Sequence, residues 1–159
     1  MENLGTKKMS NMDFFTLVEE ELVSKGKVRF RVKGVSMLPL LRSNRDEVLL
    51  IACNISQLQP GDICLFKYKG FHILHRLLYR RGDIFYFQGD NVVTRIEQCR
   101  GEDIVGKVEV IYREGLVSPI ISSKWKTLIF FNRCKLRIRM LVSACIPSSI
   151  KNLLKKFFR

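Results

Sequence analysis

Residues 63–88, ICLFKYKGFHILHRLLYRRGDIFYFQ, decide the fold class. Three runs rich in apolar, aromatic and β-branched residues, 63–68, 71–79 and 84–88, are separated by Lys69-Gly70 and by Arg80 with the turn Arg81-Gly82-Asp83. Segments of five to nine residues with Gly-containing turns between them read as strands joined by hairpins, because a helix needs longer uninterrupted stretches. The same reading extends outward to Glu47–Ala52 and Ile104–Tyr112. Upstream, Val28, Phe30 and Val32 alternate with Arg29, Arg31 and Lys33, the period-two pattern of a strand with one basic face. Pro60-Gly61-Asp62 and Gly89-Asp90-Asn91 supply further turns. Many short strands at close spacing predict a mainly β domain, an antiparallel coiled sheet or partly closed barrel.

The flanks have a different period. Phe14, Phe15, Leu17, Val18, Leu22 and Val23 recur at helical spacing between Asn11, a candidate N-cap, and Gly26, a helix stop. At the other end Ile150, Leu153, Leu154, Phe157 and Phe158 line one side of an amphipathic helix whose remaining positions are largely basic. The chain therefore divides into an N-terminal helix over 1–26, a β domain over 27–114 and a basic amphipathic segment over 115–159.

Charge follows the same division. All 15 acidic residues lie at or before Glu114, so residues 1–114 carry 18 basic against 15 acidic side chains, whereas 115–159 carry ten basic and none acidic. Such a tail predicts contact with an anionic surface, lipid before nucleic acid, with Trp125, Phe130, Phe131, Phe157 and Phe158 entering the interface. No run of 18 apolar residues occurs, and the N-terminus lacks an apolar core of signal-peptide length. A cytoplasmic or peripherally membrane-associated protein is expected. Five widely spaced cysteines without a CxxC, and only two histidines, predict reduced thiols, with Cys53 and Cys64 buried, and neither a metal site nor a cofactor.

Chemistry points to two places. Ser36 stands in Gly34-Val35-Ser36-Met37-Leu38-Pro39, where a strand ends between a glycine and a proline, a backbone suited to presenting a nucleophile beside amide N–H groups. His72 and His75, three residues apart on one strand, face opposite sides, so at most one can meet Ser36.

In order, GVSMLP, PGDICLF, HILHR, GDIFYFQGDN and IVGKV resemble the signal peptidase I family over roughly residues 28–112. That family has a serine followed by methionine, a Gly-Asp pair opening a strand, a basic catalytic residue followed by arginine, a GDN turn and a later Gly-Lys pair. The His75-Arg76 pair resembles the histidine-base type found in archaea and the endoplasmic reticulum. The resemblance implies a serine endopeptidase that cleaves a leader or signal peptide, with Ser36 as nucleophile, His75 as base in preference to His72, and Asp90 as the carboxylate that orients it; Asp62 and Asp83 are rivals for that third role. Backbone at Gly34 and Ser36 would form the oxyanion site. Where signal peptidases commonly read SGSM, this chain has Gly34, and in that respect it is similar to self-cleaving repressors of the LexA type. Those use a lysine base, and Lys67, Lys69 and Lys107 do not match its position. The competing expectations are a LexA-like regulatory module that associates with DNA, without external peptidase activity, and a silent binding barrel.

Overall fold

The computed structural model describes residues 11–118, 134–138 and 140–141, the last two stretches being helical. The amphipathic helix expected over 150–158 and the aromatic residues of the tail lie outside them. Helix α1 (Asn11–Lys25) is followed by β1 (Lys27–Arg31), β2 (Asp46–Ile51), β3 (Ile63–Tyr68), β4 (Phe71–Arg81), β5 (Ile84–Gln88), β6 (Glu97–Arg100), β7 (Ile104–Arg113) and β8 (Leu116–Ser118). The strands form one antiparallel sheet ordered β1-β2-β7-β3-β4-β5-β6, with β8 on β7, curled into a half-barrel. This is the mainly β architecture expected from the hairpin spacing. Asn11 lies within the helix rather than capping it, and Gly26 ends α1 as expected, at φ 72° with its N–H on the Leu22 carbonyl.

The continuous apolar run of β3 has a plain cause: the strand is buried on both faces. Ile63 and Leu65 enter one core with Val18 and Leu22 of α1, Val28, Val48, Leu50, Val108 and Ile111. Cys64 and Phe66 enter a second with Leu77, Phe85, Phe87 and Cys99, where the Phe66 and Phe87 rings stack at 4.3 Å. Each large side chain so buried contributes about 1.5–3 kcal/mol. The sheet thus separates two cores, and β4 alternates between them, with Leu74 toward the first and His75 flanked by Ile73 and Leu77 toward the second.

Helix α1 closes the first core. Phe14 and Phe15 meet Phe30 edge-on, and Glu19 receives Lys67 at 2.8 Å and His72 Nε2 at 2.6 Å. Cys64 is buried and Cys53 half-buried, and no disulfide joins the cysteines among the described residues. Burial pushes the Cys99 thiol up to about 12 and the Cys64 thiol higher still, so both are protonated. No helix among the described residues is long and apolar enough to cross a membrane.

Gly106, in the Gly-Lys pair of β7, sits where a Cβ would lie 2.7 Å from the Ile51 carbonyl oxygen. Gly106→Ala should therefore destabilise the fold by about 1–3 kcal/mol, because the obstruction is backbone and cannot swing aside. Urea titration should show a lower midpoint at unchanged slope.

Candidate active site

Ser36 rides on a loop whose two ends are tied together. The Val32 N–H donates to the Asp46 carbonyl at 3.0 Å and the Asn44 N–H to the Val32 carbonyl at 2.9 Å, so residues 33–43 form a closed excursion from the sheet. Met37, Leu40 and Leu41 anchor it in the first core, and the Leu41 N–H returns to the Met37 carbonyl at 2.9 Å. Leu38-Pro39 is a cis peptide, and Gly34 stands at φ 101°, a conformation that strains any residue with a Cβ. The apolar residues of GVSMLPLL thus fasten the loop, leaving Val35 exposed and Ser36 half-exposed.

The turn after β5 grips this loop. The Asn91 N–H donates to the Ser36 carbonyl at 2.8 Å, and its Nδ2 to the Val35 carbonyl at 3.1 Å. A Cβ on Gly89 would lie 2.6 Å from the Ser36 carbonyl oxygen and 2.9 Å from His75 Nε2, so those two atoms are no more than 5.5 Å apart. This close approach explains the glycine. Ser36 and His75 both border one cleft of about 290 Å³.

His75 is buried, and its Nδ1 lies 3.0 Å from Oε2 of the fully buried Glu97 on β6. A carboxylate only accepts, so Nδ1 carries the hydrogen and Nε2, on the Ser36 side, presents its lone pair. Burial is the largest influence on the imidazole and pulls its pKa below 6.5, against the opposing charge and hydrogen bond of Glu97. The ring is therefore neutral near pH 7 and competent to accept a proton, with an anion in place to stabilise the cation that results.

The carboxylate that contacts His75 is Glu97, where the resemblance implied Asp90. Asp90 is fully buried, and its two oxygens receive Arg76 Nε at 2.8 Å and Nη2 at 2.7 Å. Its rivals are elsewhere too: Asp62 accepts the Gln59 N–H at 2.9 Å and faces Lys107 at 3.4 Å, while Asp83 is exposed in the β4–β5 turn near Arg80. His72 also borders the cleft, but its ring stacks on Phe15 at 4.6 Å and bonds Glu19. Of the three lysines set aside, Lys67 pairs with Glu19, Lys107 with Asp62, and Lys69 lies over the Tyr68 ring.

The backbone expectation divides. The Gly34 N–H is engaged by Ser43 Oγ at 3.1 Å, so it is not a free donor toward the cleft. The Ser36 N–H has no acceptor among the described residues. Also among the described residues, no group of three or more His, Cys, Asp and Glu side chains is arranged to hold a metal ion.

Glu97 was missed because EQCR reads as polar connection. The available signal was an inward period of two, Glu97 and Cys99 buried with Gln98 and Arg100 exposed. No protein-family model matches the chain, and no curated protein matches it.

Two titrations test the pair. NMR should place the His75 transition below 6.5, and Glu97→Gln should lower it further by removing the anion that favours the imidazolium. Because the unfolded chain takes up this proton more readily, the His75 contribution to stability should be full above about 6.5 and lost as pH falls toward the folded-state value.

Proposed function

We propose that the chain is a serine endopeptidase resembling signal peptidase I of the histidine-base type, acting on a peptide or protein with a cleavable leader. The observation that carries this reading is the approach around Gly89, which brings the Ser36 backbone within 5.5 Å of His75 Nε2 while buried Glu97 holds Nδ1. Motifs far apart in sequence also meet there. The GDN turn binds the serine loop through Asn91 and the His75-Arg76 strand through Asp90, Arg76 reaches the Gly61 carbonyl of PGD at 2.7 Å, and Asp62 of PGD faces Lys107 of the Gly-Lys pair.

In this reaction His75 Nε2 removes the Ser36 hydroxyl proton as Oγ attacks the scissile carbonyl carbon. The Ser36 N–H donates to the carbonyl oxygen as it becomes negative, and Glu97 stabilises the imidazolium. The imidazolium then gives its proton to the departing amine, leaving an ester on Ser36. Water, deprotonated by the same nitrogen, releases the acid and restores the serine. The basic segment 115–159, with ten cations and no anion, would bring the enzyme to an anionic membrane surface.

With a quenched-fluorescence leader peptide, Ser36→Ala and His75→Ala should each lower kcat/KM at least about 10²–10⁴-fold while circular dichroism stays unchanged. Full activity in either variant overturns the assignment. Gly89→Ala should also be strongly impaired, since its methyl group occupies the space between the Ser36 carbonyl and His75. The acid limb of kcat/KM should fall below pH 6.5, the side on which His75 becomes protonated.

A further inference from the structure

Among the described residues, the cleft beside Ser36 and His75 is bordered by two cationic side chains, Lys33 and Arg95, and by no carboxylate. This is local, because residues 1–114 carry nearly equal numbers of basic and acidic side chains. Lys33 is exposed and has no ion-pair partner among the described residues.

Arg95 is placed differently. Its Nε donates to Glu97 Oε1 at 2.6 Å, and Glu97 is fully buried with its other oxygen on His75. The guanidinium is thus anchored at one nitrogen to a fixed carboxylate. Its side chain is nonetheless 63% exposed, and among the described residues no acceptor takes its two terminal nitrogens. A planar group held at Nε, on a residue that borders the cleft and with no described acceptor on its terminal nitrogens, has the fork geometry that a carboxylate accepts in bidentate fashion.

The geometry points to a carboxylate-binding subsite formed by Arg95 and supported by Lys33, which selects substrates carrying a Glu or Asp side chain close to the bond presented to Ser36. This inference rests on the peptidase reading for its consequence, not for the binding itself. Apart from Gly34 and His72, the remaining lining is apolar, Val32, Met37, Leu41, Ile73, Leu74 and Val92, so the residues beside the acidic one would be aliphatic. Binding there also bears on the chemistry. Arg95 is a cation whose field disfavours the His75 imidazolium, and a substrate carboxylate on its outer edge would offset that field.

The test uses fluorescence anisotropy with the Ser36→Ala chain and labelled ten-residue alanine-based peptides, acetylated and amidated, with one Glu or one Gln stepped through each position. Glu peptides should bind at least tenfold more tightly than their Gln partners at low salt. Arg95→Gln in the same background should reduce the ratio below about threefold, and Lys33→Gln, at an exposed position, should reduce it in part. Arg95→Lys, which keeps the charge but loses the fork, should fall between. Glu and Gln peptides binding within twofold, or a ratio that survives both Gln substitutions, would each overturn the subsite. Cleavage by the unsubstituted chain without Glu/Gln discrimination overturns the subsite and leaves the peptidase reading. Discriminating binding without cleavage of any peptide does the reverse.

Discussion

A buried ion pair, Arg76 with Asp90, is the constraint on which the site is assembled. Asp90 is fully buried and Arg76 nearly so, a costly arrangement unless every charged atom is engaged. Here both carboxylate oxygens are met by the guanidinium, and its third nitrogen donates to the Gly61 carbonyl. The pair fixes the Gly89-Asp90-Asn91 turn relative to β4, and Asn91 passes that placement to the serine loop through two hydrogen bonds. Losing one partner would leave an uncompensated buried charge, typically about 3–5 kcal/mol, and would free the turn that joins the two halves of the site.

The histidine shows why the second core matters. His75 stands on β4 between Ile73 and Leu77, and the low-polarity surroundings that hold it neutral also strengthen its bond to Glu97. Glu97 in turn is shared between His75 on one oxygen and Arg95 on the other. One carboxylate therefore couples a buried imidazole to a largely exposed guanidinium that borders the same cleft.

Much of the scaffold was readable from alternation and turn residues. Strands β1 to β5 and β7 lie where Val, Ile, Phe and Tyr recur between Gly-rich turns, and α1 lies where Val18 and Leu22 share a face. Strands β6 and β8 were not read as strands, the first because an inward glutamate resembles loop chemistry and the second because three residues carry no period. The site was legible in part. Ser36 and His75 border one cleft, but Asp90 pairs with Arg76, a contact between residues 14 apart that no local pattern announces. The partner of His75 lies 22 residues away on the unforeseen strand.

Among the described residues the sheet does not close on itself, and β1 and β6 each have a row of main-chain donors and acceptors with no strand beside it. Unguarded rims of this kind invite copies of a protein to zip together. Here β1 bears Arg29 and Arg31 on its outer face, followed by Lys33, and β6 is only four residues long. Hydrated arginines paired to Glu47 on one rim and brevity on the other make both edges poor templates for a further strand.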